Sequence, residues 1–341
     1  MKISAKKELA FLKEILEKLG VNKEQSEIVA EVCLDADLKG FTSHGIGRFA
    51  QYIKSVQNDV IKTEGDIEII KETESIAVID GHSIFGQIVA YKAMELAIKK
   101  AKKTGIAAVG THNGNHFGAT GFYSDLAIKN GVIGIVIANT EPAIAPLGGK
   151  KPLIGTNPIA IGIPGSDYIA TDMATSASAR GKLLEAKRKG EEIPPNTALD
   201  SEGNPTTNPE EALKGSILSF GAHKGYGLAF MIELLTGPLV GASYGTGVTG
   251  TANPNVNCTK GDLFVAIDPD VFVGKDYFKE HVDNFIKEVR DADNGFVPGD
   301  IEVKRIKNAK ENGIPIDEKL FEQLSEVCDH LDIDITQYIE K

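Results

Sequence analysis

The stretch Gly105-Ile-Ala-Ala-Val-Gly110-Thr-His-Asn-Gly-Asn-His116-Phe-Gly-Ala-Thr-Gly121 starts as a small apolar run of strand character and ends as a Gly-rich polar turn. Phe122-Tyr-Ser-Asp-Leu-Ala-Ile follows and can continue as a helix. Polar side chains are thereby set at the carboxyl end of a strand, where α/β folds place ligands. His116 stands out because imidazole is the side chain best suited to moving a proton near neutral pH. The plainer account is a turn in which Gly and Asn supply positive φ and His116 fills a surface position. The stretch alone does not choose between them.

Outward from it, short apolar strands separated by turns continue at 133–138, 158–163 and 168–173, with another at 263–267. Residues 67–70 and 76–80 alternate like two more strands, and 87–103 is a clear helix. Residues 1–60 read as three helices: one ended by Gly20, one over 24–38, and one beginning after Ser43-His-Gly. Residues 176–189, 224–235, 277–289, 318–331 and 336–340 read as helices, 190–215 as a long polar connection, and 237–260 as a Gly/Thr/Asn-rich loop. The expected organisation is a helical segment 1–75 associated with a C-terminal segment 297–341. Between them lies an α/β domain, 76–296, with a helix/loop insertion around 176–260.

At 341 residues the chain is long enough for two or three cores. With 48 Asp and Glu against 37 Lys and Arg, the net charge is −11, the wrong sign for a nucleic-acid surface. Cys33, Cys258 and Cys328 lie far apart without a CxxC, which fits neither a disulfide framework nor a zinc site and agrees with a reducing cytoplasm. The N-terminal stretch is amphipathic, unlike a signal peptide, and no apolar run reaches the roughly 18 residues of a membrane span. A cytoplasmic protein without nucleic-acid or membrane partners is expected.

Two nucleotide-binding look-alikes fail on context. Gly45-Ile-Gly47-Arg-Phe-Ala50 follows a helix, and Gly245-Thr-Gly247-Val-Thr-Gly250 follows a helix and runs into Thr-Ala-Asn-Pro, whereas the dinucleotide fingerprint needs a strand before and a helix after. A Rossmann domain is therefore not expected. His112 and His116 are four apart, but the intervening Asn-Gly-Asn lacks the Glu of a zinc helix, so no metal is assigned. His44 and Arg48 would share one face of a helix starting near Ser43, with Tyr52 a turn further. A His beside an Arg is mutually repulsive unless an anion sits between them, and guanidinium binds carboxylate bidentately; the alternative is a capped helix start with Arg48 solvated. Asp172 emerges at a strand's carboxyl end, where it orients a His, holds a ribose hydroxyl or caps the next helix. Lys224 with Gly225 and Gly227 at a helix start forms either a phosphate cradle or an ordinary N-terminus.

Taken in order, SHGIGRF (43–49), NHFGATGFY (115–123), NTEPAIAPLGG (139–149), GTNPIA (155–160), DMATS (172–176), ARGK (179–182), KGYGLA (224–229) and CTKGDLF (258–264) resemble the malate/L-lactate (type 2) dehydrogenase family. That family also contains ureidoglycolate, diketogulonate and L-sulfolactate dehydrogenases, and the resemblance is strongest to its archaeal L-malate/L-sulfolactate members. It implies a non-Rossmann mixed-sheet α/β cofactor domain with helical N- and C-terminal segments. It implies a homodimer that uses NAD or NADP to interconvert L-2-hydroxy and 2-keto acids, most of all malate/oxaloacetate or sulfolactate/sulfopyruvate. By resemblance His116 is the general acid/base, and His44 and Arg48 hold the substrate carboxylate. The cofactor is held around Thr140, by Asp172, Met173 and Ala174, by Lys224, and by Gly299 and Asp300, where the family turn more often carries Glu. Arg180 is a candidate for the substrate's second anionic group. The alternatives are reduction of another 2-keto acid or a cyclic imine, or dinucleotide binding without catalysis.

Overall fold

A computed structural model describes residues 1–293 and 295–340; Asn294 and Lys341 lie outside the described residues. Helix α1 (Ala5–Lys18) begins at Ser4, whose side chain accepts a hydrogen bond from Lys7 N–H, and its chain reverses at Gly20 with φ 92°. Helix α2 (Lys23–Leu38) starts with Asn22 accepting from Gln25 N–H. These bury the stripe Phe11, Leu12, Ile15 and Leu16 against Val29, Val32 and Cys33. After a 3-10 turn, Ile46–Arg48, comes α3 (Phe49–Gln57).

The central sheet has seven strands: β1 (Glu68–Glu72), β2 (Ile76–Asp80), β3 (Ile106–His112), β4 (Ile133–Ala138), β5 (Ile159–Ile163), β6 (Ile169–Met173) and β7 (Asp262–Ile267). Their spatial order is β1-β2-β3-β7-β4-β5-β6. Only β2 and β3 run parallel; every other neighbour is antiparallel, so the sheet is mixed and not doubly wound. Helix α4 (Gly86–Thr104) packs on β3 and β7, and α5 (Gly121–Lys129) on β4 and β5. One continuous core runs from α1 through the sheet residues Val109, Val136 and Phe264 to Leu324 and Cys328 near the C-terminus.

Strand Lys2–Ile3 pairs with both Ile314–Pro315 and Ile339–Glu340, so the chain ends are tied together. The boundary expected at 75/76 falls in the turn of the β1–β2 hairpin, whose two strands share the main sheet. The stretch 190–215, expected as a loop, contains strands Ala198–Leu199 and Pro205–Thr206 and helix Pro209–Lys214. With α6 (Arg180–Lys189) these enclose a small separate core of Leu183, Ile193, Ala198, Ala212 and Ile217. Residues 176–179 are not helical: α6 begins at Arg180. Residues 336–340, expected as helix, give a 3-10 turn and a strand, because the Lys2–Ile3 edge supplies a pairing partner. The remaining long helices are α7 (His223–Thr236), α8 (Lys275–Asp291), α9 (Asp300–Asn312) and α10 (Glu318–Leu331); α9 has no counterpart in the sequence expectations.

Candidate active site

Strand β3 delivers the chain to a tightly held loop. Asn113 turns it with φ 51° and Gly118 with φ 82°. Between them Asn115 Nδ2 donates to Ser83 O (2.9 Å) and Ile84 O (3.0 Å), pinning the loop to the start of α4. The approach is so close that a Cβ at Gly86 would lie 2.1 Å from Asn115 O. His116 is thus fixed in position, its Nδ1 2.7 Å from Tyr52 Oη and 3.3 Å from Gly118 N–H. The His44 ring lies alongside at 5.4 Å between centroids, with the planes 28° apart.

The segment carrying His44 and Arg48 is placed by an unexpected pair of acids. No helix starts at Ser43, whose hydroxyl instead bonds His44 Nδ1 at 2.9 Å. Asp37, nearly fully buried on α2, accepts Ile46 N–H at 2.5 Å and so caps the turn that leads into α3. Behind it stands Glu8, fully buried, neither carboxyl oxygen having a hydrogen-bond partner of standard geometry. Burial, then the repulsion of Asp37, pushes the Glu8 acid well above the usual range, and burial brings Asp37 up to about 6. The two carboxyls titrate as a pair, with burial and their mutual repulsion disfavouring two negative charges side by side.

Arg48 Nη2 donates to Thr251 O at 2.5 Å, reaching across to the 237–260 loop, while its Nε is buried with no partner. Burial, then the Arg48 charge, lowers His44 to about 4; burial, Arg48, His44 and Lys260, in that order, hold His116 well below the ordinary imidazole range. Both residues are half-buried. The cluster combines two neutral imidazoles with a guanidinium that has a buried donor free, which is a receptor for an anion.

Lys260 was given no role by the sequence. It is buried, bonds Asp262 Oδ1 at 2.5 Å and lies 4.1 Å over the Phe117 ring, while Thr111 Oγ1 donates to Asp262 Oδ2 at 2.9 Å. This pair joins β3, β7 and the His116 loop. Its only sequence signal was the CTKGDLF string. His112 faces elsewhere, its Nδ1 3.9 Å from Asp80 Oδ2, and among the described residues no group of three or more His, Cys, Asp or Glu is placed to hold a metal.

A cavity of about 160 Å³ opens beside α5, walled by Tyr168, Phe296, Pro298, Gly299 and Ile301, with Asp172 and Glu302 at its polar side. Asp172 Oδ2 accepts Gly121 N–H at 2.7 Å, and burial brings its carboxyl up to about 6. Gly299 sits over Tyr168 with φ 108°, a conformation and a closeness that exclude a side chain. Met173 is exposed and Ala174 half-buried just beyond β6. Thr140 is held by Asn157 Oδ1 (3.2 Å from its N–H) and accepts Thr156 N–H at 2.9 Å. Lys224 is exposed in the first turn of α7. Asp300 accepts both Arg290 Nη1 (3.1 Å) and Nη2 (3.0 Å) and also Val297 N–H (3.1 Å), so its carboxylate is engaged within the chain. Arg180 is exposed at the start of α6 and is not among the charges that act on His116. The look-alike at Gly245–Gly247 is a 3-10 turn whose Gly245 N–H is taken by the buried Glu233 carboxylate at 2.7 Å.

The sequence profile described as malate/L-lactate dehydrogenase matches residues 3–325. An L-sulfolactate dehydrogenase of Methanothermobacter thermautotrophicus is 60% identical over 98% of both chains. A malate/(S)-sulfolactate dehydrogenase of Methanothermus fervidus is 56% identical over 98% of this chain and 100% of its own. The solved structure of the sulfolactate dehydrogenase of Methanocaldococcus jannaschii superimposes with a TM-score of 0.96 at 50% identity, covering 100% of each chain.

Proposed function

The chain belongs to the malate/L-lactate dehydrogenase family, and on that footing we propose that it interconverts L-2-hydroxy acids and 2-keto acids with a nicotinamide dinucleotide. The substrate carries a second anionic group, as malate/oxaloacetate and sulfolactate/sulfopyruvate do, in keeping with the relatives' names. The observation that carries this is His116 beside Arg48, whose buried Nε has no partner of its own.

Arg48 and His44 hold the carboxylate next to the reacting carbon. The anion offsets the repulsion that keeps His116 neutral and so raises its proton affinity. In reduction His116 protonates the oxygen at C2; in oxidation it takes the hydroxyl proton. The nicotinamide, when bound, supplies or accepts the hydride. The cavity at Asp172 fits the adenosine end: Tyr168, Phe296 and Ile301 offer apolar walls for a base, and Asp172 an acceptor for ribose hydroxyls. Lys39, which also borders it, is bound to Asp35 (2.7 Å) and Asp125 (2.5 Å). A cavity with the Asp172 and Glu302 carboxylates and no uncommitted cation suits a 2′-hydroxyl better than a 2′-phosphate, so NAD is expected over NADP.

The protein is further proposed to be a cytoplasmic homodimer. Among the described residues no helix is long and apolar enough to cross a membrane, and all three cysteines are free and buried. Helix α7 is mostly apolar beyond its first turn, apart from the buried Glu233, and leaves Phe230, Met231, Leu234 and Leu235 exposed, next to Leu239 and Tyr244. Such a face suits a second copy. Initial rates of reduced-nicotinamide loss, with NADH and NADPH each against oxaloacetate, sulfopyruvate and pyruvate, test the activity. Turnover of a dianionic keto acid is expected; no turnover of any of the three would remove the substrate class.

A further inference from the structure

We propose that Tyr52, backed by Gln87, is a positioning residue that keeps the His116 proton on Nδ1, leaving Nε2 free to exchange the substrate's proton. This rests on His116 being the proton carrier. The geometry is local and specific. Tyr52 Oη, on a fully buried side chain from α3, lies 2.7 Å from His116 Nδ1, so the nitrogen that faces substrate is Nε2. To accept the hydroxyl proton of a 2-hydroxy acid, Nε2 must be bare, and the neutral ring must then carry its hydrogen on Nδ1.

The backbone works against that arrangement. Gly118 N–H points at Nδ1 from 3.3 Å and favours the tautomer with Nδ1 bare and Nε2 protonated, which cannot act as a base. Tyr52 Oη is closer and can receive an Nδ1–H, provided its own hydrogen has somewhere to go. Gln87 on α4 supplies the place. It is fully buried, neither its Oε1 nor its Nε2 has a hydrogen-bond partner of standard geometry, and its amide offsets part of the rise that burial causes in the Tyr52 phenol and the Cys33 thiol. An orphaned amide in the core is costly unless it has a use. A hydrogen bond from Tyr52 O–H to Gln87 Oε1 gives it one and turns the phenol oxygen's acceptor side towards Nδ1–H. Burial keeps the phenol protonated.

The step then balances. In oxidation the oxidised nicotinamide, when bound, would accept the hydride from C2, and the hydroxyl proton passes to Nε2. The ring becomes imidazolium with its Nδ1–H still held by Tyr52. The groups facing this unit are Arg48 and His44 from the 43–48 segment, Cys258 and Lys260 from the approach to β7, Cys33 from α2 and Tyr123 from α5.

The test uses Tyr52→Phe, Gln87→Leu and the double variant, assayed in both directions with circular dichroism to confirm folding. Tyr52→Phe preserves shape and is expected to lower kcat roughly 10- to 100-fold, with KM for acid and cofactor little changed. Losing an acceptor for Nδ1–H disfavours the imidazolium, so the acid limb of kcat for oxidation is expected to move to lower pH. Gln87→Leu should produce the same kind of loss with Tyr52 intact, and the double variant should lose no more than the worse single one, because the two act as one unit. Turnover of Tyr52→Phe within twofold of the parent would overturn the proposal. So would losses that multiply in the double variant, or an unmoved acid limb with effects confined to KM and thermal stability. Gln87→Leu decides the matter alone if Tyr52→Phe does not fold. His116→Asn, run in parallel, separates this from failure of the underlying assignment: full activity there would remove the role of His116 itself.

Discussion

Replacing Gly45 by Ala probes the link between the buried acids and the substrate segment. The φ there, −95°, is open to other residues, but ψ −143° lies outside the main regions for a residue bearing a Cβ. Space adds to that constraint: an added Cβ would fall 1.9 Å from Asp37 Oδ2 and 2.0 Å from its Cγ. Asp37 has little freedom to withdraw, being buried, bonded to Ile46 N–H at 2.5 Å and backed by Glu8. Overpacking costs about 1–3 kcal/mol, and loss of a hydrogen bond to a charged group about 1.5–3 kcal/mol. Together they imply a loss of about 2.5–6 kcal/mol in urea unfolding, less if the 43–48 segment shifts. Any such shift moves His44 and Arg48, so KM for the keto acid is expected to rise at least about tenfold while KM for the cofactor holds. Asp37→Ala in the Gly45→Ala background removes the clash and should recover part of the stability but not the KM. A Gly45→Ala protein with parental unfolding free energy and parental KM would refute this account of the segment.

Three further outcomes follow from the geometry. Arg180→Ala is expected to weaken oxaloacetate or sulfopyruvate more than pyruvate in kcat/KM; equal losses would remove Arg180 from recognition of the second anion. Met231→Asp on the exposed face of α7 is expected to convert a dimer to monomer in light scattering, and a parent already monomeric would exclude that face as an interface. His116 is held well below its ordinary range by burial and by neighbouring positive charge, so at pH 6–7 the free site is unprotonated. An anion at Arg48 raises its proton affinity, so binding takes up protons. Titrating a 2-hydroxy acid into enzyme with reduced cofactor, an unreactive pairing, in buffers of different ionisation enthalpy should show net uptake at pH 6.5, absent in His116→Asn. Proton release in the parent would contradict the sign.

Much of this molecule is legible in its sequence because its signals are local. The strands at 133–138 and 262–267 and helix 318–331 show their periodicity plainly, and Asn113 and Gly118 do supply the positive φ expected of the His116 turn. Helix Asp300–Asn312 is not legible because its sequence, DIEVKRIKNAKEN, buries only Ala309 and leaves Ile301 and Val303 exposed, so no apolar stripe exists to be read. The strand at Ile339–Glu340 depends on a partner edge more than 330 residues away in sequence. In the site, His116, His44 and Arg48 stand out as candidates by type, but spacing alone leaves a plain turn and a capped helix start open, and the family resemblance is what assigns them roles. Glu8 and Asp37 do not stand out, because an acid on an amphipathic helix reads as solvated and only the packing of α1 on α2 buries it. Arg48 with Thr251 O, and Lys260 beside His116, likewise join segments that no local pattern connects.

The most direct test of the central claim is the turnover of His116→Asn with oxaloacetate and sulfopyruvate, alongside NADH binding followed by fluorescence. If His116 is the proton carrier held in an otherwise intact site, kcat should fall at least about 100-fold while NADH binds as in the parent. Parental turnover with NADH still bound would contradict that claim.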